Sequence, residues 1–452
     1  MTGTEAEELV ADLQARGIER VKVGGFDIDG VLRGKYISLR KLRSALSGGF
    51  GFCDVIFGWD INDKLYDQPS VTGWHRGYPD AQAVLDPSTL RDLPWEPGVA
   101  AMLVDFRDEA GGPHPACSRS VLKTVRDRAR ALGYEPHFAC EYEFFLFQET
   151  PQTLQNKGFC DLQPLDPGMY GYSWLRSGQS EELMGDIMST LKAFDVELEG
   201  LHTETGPGVY EAAIAVDGDV LRAADKAALF KAGLKQIAHE HGLTASFMAK
   251  WHAQYPGCSG HLHQSLFRDG TNAFHNPEDP QAMSTCMRHY LGGLCQLMPE
   301  LTAVTSPNVN SYKRYVPGVW APLTVSWGID NRTAAVRVIG LDQHKACRLE
   351  FRQPASDINP YLAMAASLAA GLYGIEQQIE PPDETKGDAS NEGAPLPRTL
   401  TAAVDLLESS DVARQILGTD VVSHYVVTRR WELQEFERAV TDWELKRYFE
   451  SI

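Results

Sequence analysis

No stretch of the sequence is apolar enough for long enough to cross a bilayer. The longest candidate, Tyr361–Tyr373, is alanine-rich and well short of the ~20 residues a helical span needs. A basic leader followed by an apolar segment is also missing. The chain opens instead on the acidic MTGTEAEELVADLQARG, which reads as a short amphipathic helix closing at Gly17. A cytoplasmic protein is the expectation. Cysteines are few and scattered (Cys53, Cys117, Cys140, Cys160, Cys258, Cys286, Cys295 and Cys347), with no C-x-x-C spacing. That pattern argues against a disulfide framework and suits a reducing compartment. Positive charge is short too: 42 basic against 61 acidic residues leave a net −19. Neither nucleic acid nor an anionic membrane is therefore expected as a partner. An anionic substrate would have to be held by a local cluster of cations, against the field of the whole molecule.

What is present is enough for a large core. At 452 residues with 43% apolar and 10% aromatic side chains, the chain predicts one large and one small domain, divided as 1–110 and 111–452. Residues 20–106 read as short strands and turns. Val21–Asp27 alternates, Asp29-Gly30 signals a hairpin, Val31–Lys35 resumes the strand, and Val99–Phe106 is a buried-strand candidate. Glu109–Pro115 reads as a linker. Beyond it, helices and strands alternate. Helices are predicted at Ser120–Leu132 (capped by Gly133), Ser180–Phe194, Val220–His241 and Pro280–Glu300, with strands at His137–Phe147 and Thr244–Met248. After a polar break at Glu380–Pro397, helices return through Tyr448.

Four segments concentrate chemistry. In His137–Phe147, strand alternation puts Glu141 and Glu143 on one face, roughly 6–7 Å apart. Two carboxylates so placed beside Phe145 and Phe147 repel each other unless a cation lies between them. A Gly-Pro-Gly turn in His202–Glu211 would bring Glu204 and Glu211 to one cavity, although a solvated hairpin explains the same pattern. Pro256–Ser265 is a glycine-rich entry to a strand with His261 and His263 on the same face; such a pair is equally a hydrogen-bonded core feature. Arg348-Leu-Glu350-Phe-Arg352 reads plus, minus, plus on one face, as a cross-strand ion ladder also would. Taken jointly, five glutamates and one histidine suit Mg²⁺ or Mn²⁺ rather than zinc, and two such ions can clamp a transferring phosphoryl group.

These segments, in this order, resemble the glutamine synthetase superfamily of the bacterial twelve-subunit type. The likeness runs from Val21 to Glu450 and is most specific at Glu141-Tyr-Glu143-Phe, Glu204–Glu211, Gly257–Ser265, Asn331–Arg337, Arg348–Pro354 and Asn359–Ala363. The resemblance implies an α+β fold: an N-terminal β-grasp domain, then a catalytic domain whose curved antiparallel sheet carries flanking helices. It implies that Glu143, Glu204 and Glu211 bind one metal, and that Glu141, His261 and Glu350 bind a second. His263, Ser265, Arg337 and Arg348 would sit beside the phosphates of ATP. Arg314, Arg332 and Arg352, with backbone at Gly257, would hold the substrate carboxylates and the transferred phosphate. Arg332 and Glu350 would act in catalysis. The implied reaction is attack of a glutamate γ-carboxylate on ATP to give γ-glutamyl phosphate, followed by displacement with an amine, in a homo-oligomer of two stacked hexameric rings. Guanidinium forks suit such substrates better than lysine does.

The sequence departs from that family at its acceptor end. The flap glutamate of a Pro-Gly-x-Glu-Ala-Pro segment is replaced in Pro317–Pro322 by Trp320, and an asparagine that contacts glutamate is replaced by Pro256. The tyrosine-bearing segment used for adenylylation control has no counterpart in Ile375–Leu396. Trp320 cannot take a proton but can cover an organic substituent and face an ammonium head. The departures therefore point to γ-glutamyl-amide synthetases, which act on polyamines, ethanolamine, alkylamines or anilines. An alkylamine with a pKa near ~10.4 loses its proton at a cost of roughly 4–5 kcal/mol at pH 7, so a base must remain. Asp67, in the loop Asp67–Trp74, is the candidate, with Asp63 as the alternative. Two other readings stay open: a glutamine synthetase using ammonia, and a catalytically silent nucleotide- or amine-binding relative. A phosphagen-type kinase would lack the N-terminal strands.

Overall fold

The computed structural model describes residues 1–67, 71–279 and 282–452. The alternating Val21–Asp27 segment and the turn after it form the expected hairpin. Strand β1 (Arg20–Phe26) runs antiparallel to β2 (Leu32–Ser38), with Phe26 opposite Leu32. The Asp27 carboxylate accepts hydrogen bonds from the N–H groups of Asp29 and Val31, and Gly30 adopts φ +79°, which a residue with a Cβ resists. Strands β3 (Phe50–Cys53), β4 (Asp80–Leu85), β5 (Arg91–Asp92) and β6 (Val99–Arg107) complete a sheet of order β2-β1-β6-β4-β3, with β5 on β6. One face packs Val21, Val23, Met102 and Phe106 with Leu13 and Leu42 of the helices Gly3–Ala15 and Leu39–Gly48. The other face contributes Phe26 and Leu103 to the main core.

That main core surrounds a second, nine-stranded sheet. Its strands are β7 (Glu135–Phe147), β8 (Leu198–Thr203), β9 (Val209–Ile214), β10 (Thr244–Ser246), β11 (Gly260–Arg268), β12 (Thr271–Asn272), β13 (Trp327–Ile329), β14 (Val336–Ile339) and β15 (Arg348–Phe351). Their order is β13-β14-β15-β11-β7-β9-β8, with β10 on β7 and β12 on β11. Every pair is antiparallel except β13–β14. Burial alternates along β7 from Glu135 to Glu143 and is continuous from Phe144 to Phe147. Phe138, Cys140, Tyr142 and Phe144 are buried toward the helix Val220–Glu240, where Phe230 stacks on Tyr142 with ring centres 5.8 Å apart, so Glu141 and Glu143 take the opposite face. The fold is mixed α+β, two sheets flanked by helices.

The alanine-rich stretch lies in the helix Pro360–Gln377, buried over most of its circumference by the helices Thr285–Thr305, Ser118–Ala131 and Val220–Glu240. Gly293 and Gly374 meet so closely that a Cβ on Gly374 would lie 2.6 Å from the Gly293 Cα. This is a buried core helix, and among the described residues no helix is long and apolar enough to cross a membrane. Two expected elements shift. The helix read at Pro280–Glu300 runs Thr285–Thr305 because the Ser284 hydroxyl caps it by accepting from the Met287 N–H; its expected first residue, Pro280, lies outside the described residues. The strand read at Thr244–Met248 stops at Ser246, where its pairing with Phe145–Phe147 ends.

Candidate metal centre and active site

Sheet register assembles the acidic side chains. Glu141 of β7 lies opposite His261 of β11; His263 of β11 lies opposite Glu350 of β15, which in turn lies opposite Arg337 of β14. The ligand atoms of Glu141, His261 and Glu350 all fall within 4.8 Å of one another. His261 Nδ1 stands 3.0 Å from Glu141 Oε1 and 3.5 Å from Glu350 Oε1. Glu350 is only 2% exposed, yet Arg337 donates to it at 3.0 Å and Arg352 also donates to it. Burial alone would raise both carboxyl pKa values. The hydrogen bond from His261, with His263 3.8 Å away, instead holds Glu141 well below the usual range, and His261 and Arg352 bring Glu350 to about 2. Both stay anionic at neutral pH. Two hard oxygen donors and one imidazole, anionic and convergent, fit Mg²⁺ or Mn²⁺. Among the described residues this is the one cluster so tightly drawn together.

A second acidic group shares this face. Glu143 lies directly opposite Glu211 of β9, and Glu211 opposite His202 of β8. His202 Nε2 is 3.1 Å from Glu211 and its Nδ1 3.9 Å from Glu204, while Tyr172 stacks on the imidazole at 4.2 Å. Burial, with the charge of Glu211 beside it, pushes the Glu143 carboxyl up to about 7 despite the opposing His261. Glu143 also accepts a hydrogen bond from the Ser259 N–H. The hairpin turn places Gly208 at φ +67°, where a Cβ would come within 2.6 Å of the Leu146 carbonyl oxygen. His202 carries no role in the sequence reading. The signal for it was present, because a tight turn after Thr203 puts it across from Glu211.

The remaining residues differ in setting. Arg348 donates through Nε to His263 Nδ1 at 3.1 Å, and Arg337 also grips Asp330 at 2.8 Å. Arg352 donates to the Arg332 carbonyl, and the Arg332 side chain is exposed. Ser265 is buried on β11, two residues beyond His263. Arg314 is 1% exposed and donates to Ser259 Oγ and the Gln353 carbonyl, leaving Nε without a partner. Gly257 packs against it, with room for no Cβ: one would lie 2.4 Å from the Ala249 carbonyl oxygen. Trp320 is 66% exposed at φ +61° in a loop after Gly318. Asp67 is exposed, while Asp63 is held by Arg33 at 2.7 Å; Gln68, Pro69 and Ser70 of that loop lie outside the described residues.

A sequence profile of the glutamine synthetase catalytic domain matches residues 115–448. Type-1 glutamine synthetase 2 of Dictyostelium discoideum is 46% identical over 96% of the chain and 84% of its own length. The glutamate–isopropylamine ligase of a Pseudomonas species is 38% identical over 97% of both chains. The gamma-glutamylethanolamide synthetase GlnA4 of Streptomyces coelicolor is also 38% identical, over 99% of the chain and 96% of its own length. Among solved structures, ligand-free GmaS superposes with a TM-score of 0.85 at 30% identity, covering 98% of the chain and 99% of that structure. A nine-stranded, almost wholly antiparallel sheet with this acidic face, matched along nearly its full length, makes the chain a member of the glutamine synthetase family of enzymes.

Proposed function

We propose that the chain is an ATP-dependent ligase joining the γ-carboxylate of glutamate to an organic amine through a γ-glutamyl phosphate. The observation that carries this reading is the convergence of Glu141, His261 and Glu350 beneath Arg337 and Arg352. Glu141, His261 and Glu350 would hold one divalent cation, and Glu143, Glu204 and Glu211 a second. Bound Mg²⁺ or Mn²⁺ would supply charge neutralisation and polarisation of phosphoryl oxygens. The arginines do the rest of the electrostatic work. Arg337 and Arg348, with His263 and Ser265, would orient the phosphates of ATP, while Arg332 and Arg352 would stabilise the group in transfer. Arg314, packed beneath Gly257, would act on glutamate by fixing Ser259 and the Gln353 carbonyl.

The acceptor is read from Trp320. A bulky side chain held exposed at positive φ needs a reason, and covering an amine's organic group would supply one. Relatives named for isopropylamine and ethanolamide support the same reading. Asp67 is the proposed base, since Asp63 is engaged by Arg33. The proposed organisation is a β-grasp domain over 1–110, a catalytic domain over 111–452, and a cytoplasmic homo-oligomer of two stacked hexameric rings. Similarity to a type-1 glutamine synthetase favours ammonia as the competing acceptor. Phosphate release from ATP and glutamate, measured with ammonium, ethanolamine, isopropylamine, putrescine and aniline, separates the two. Organic amines are expected to give the higher kcat/KM, with γ-glutamyl amides identified by mass spectrometry; ammonium as best acceptor would overturn the assignment.

A further inference from the structure

Lys231 stands apart from every residue so far given a role. It sits on the helix Val220–Glu240, on the side of the sheet away from the acidic face, with its ammonium 4.6 Å from the centre of the Tyr142 ring and 5.3 Å from that of Phe247. Its Nζ donates to two backbone carbonyls, those of Ser356 at 2.6 Å and Ile358 at 2.7 Å. An ammonium withdrawn from water on a half-buried side chain is costly unless its donors are used, and these carbonyls use two of them. Burial brings its pKa down to about 7.

The loop so fastened, Gln353–Asn359, touches the backbone at Glu143 and Gly260, the turn that carries Arg314, and the N-terminal hairpin. Ser356 Oγ donates to the Glu143 carbonyl, and the Ser356 N–H to the carbonyl of Cys258. The Gly260 N–H donates to the Pro354 carbonyl, fixing the start of the strand that carries His261 and His263. Asp357 accepts from Asn308 and Ser311, anchoring the turn Val309–Arg314 that ends in Arg314. Asn359 donates to the carbonyls of Asp27 and Ile28 in the N-terminal hairpin turn.

We propose that Lys231 is a positioning residue: by pinning the Ser356 and Ile358 carbonyls from behind the sheet, it sets the backbone at Glu143 and the turn of Arg314 for cation binding and catalysis. This rests on the ligase reading above. Methionine at 231 keeps the apolar stem and removes the donors, arginine restores donors, and Ser356→Ala cuts the same path one link on. Groups hydrogen-bonded directly to a metal ligand are worth ~10–100-fold in affinity or activity, and Lys231, which acts one link farther out through Ser356, belongs at the lower end of that range. Lys231→Met is therefore expected to raise the Mn²⁺ concentration for half-saturation, read by electron paramagnetic resonance of free Mn²⁺ without nucleotide, about tenfold. It should also lower kcat at saturating Mn²⁺ with the KM for ATP nearly unchanged, and Lys231→Arg should recover part of both losses. The double variant should be little worse than the worse single variant, because the two changes act in series. Mn²⁺ affinity and kcat equal to wild type in Lys231→Met or Ser356→Ala, or losses that multiply in the double variant, would overturn the proposal. If Lys231→Met does not fold, Ser356→Ala alone decides through the same two readouts. Wild type lacking ligase activity altogether would instead strike the functional reading.

Discussion

Glu350 concentrates the electrostatic problem of the site in one side chain. It is buried, charged, and held by Arg337, Arg352 and the neighbouring His261. Removing one member of such a group leaves uncompensated charge in the interior. Glu350→Gln is expected to lower kcat by at least ~10²-fold, a loss of the size seen when one transition-state stabiliser is removed. It should also reduce stability, because Arg352 loses its anion and Arg337 keeps only Asp330; calorimetry beside steady-state kinetics checks both. Activity within a few-fold of wild type would contradict the role given to Glu350. Much at this scale was legible in the sequence. Alternation alone puts Glu141 with Glu143, His261 with His263, and Glu350 with Arg348 and Arg352, because strand geometry enforces a period of two; Arg337 comes from the neighbouring strand, which alternation does not place. Arg314 was less legible: its burial depends on where the distant Gln353–Asn359 loop folds, which local pattern does not encode.

On the ligase reading, the hairpin of β8 and β9 and the Pro317–Pro322 loop carry the second cation and the acceptor. Gly208 must accept positive φ with a carbonyl oxygen where a Cβ would go. Gly208→Ala is accordingly expected to destabilise by about 1–3 kcal/mol, measured by urea denaturation, and to weaken Mn²⁺ binding as Glu204 and Glu211 lose their spacing. An unchanged midpoint would mean the turn relaxes freely. In the loop, Trp320→Ala should raise the KM for organic amines, by ~10–200-fold for each lost contact with a small apolar group, and leave that for ATP alone. An equal effect on ammonium and on isopropylamine would show that Trp320 only packs the loop. Element boundaries show where local signals compete. Proline at 280 reads as a helix start, but the Ser284 cap supplies a hydrogen bond that proline cannot, and the helix begins there. The Gly-Pro-Gly turn had no such rival, so its hairpin was read correctly.

At the scale of the whole molecule, the helix Thr419–Arg438 ties the N-terminal region to the rest. Arg429 pairs with Asp29, and Trp431 donates to Asp60. Within that helix His424 is fully buried with both ring nitrogens unpartnered, and burial lowers its pKa to about 3; His114, buried against Phe57, is lowered to about 4. Both are neutral when folded, whereas in the unfolded chain they protonate near 6.5. The unfolded state then binds more protons below that pH, so stability present above about 6.5 is lost as pH falls toward 3–4, by up to ~1.4 kcal/mol per pH unit for each histidine. The Glu143 and Asp27 carboxyls, both raised to about 7, act in the opposite direction by taking up protons in the folded state. The test is therefore differential: as pH falls from 7.5 to 5, the urea midpoint of His424→Leu should shift upward relative to that of wild type, and parallel pH profiles for the two proteins would contradict the role given to His424. These two histidines were not flagged by sequence, because nothing local marks them as buried.

The account as a whole depends on divalent cations seated among these carboxylates. Anomalous diffraction from crystals soaked in Mn²⁺ and nucleotide tests this directly. The account predicts two peaks on the acidic face, one contacted by Glu141, His261 and Glu350 and the other by Glu143, Glu204 and Glu211. Active enzyme whose crystals show manganese elsewhere, or no peak at these side chains, would contradict it.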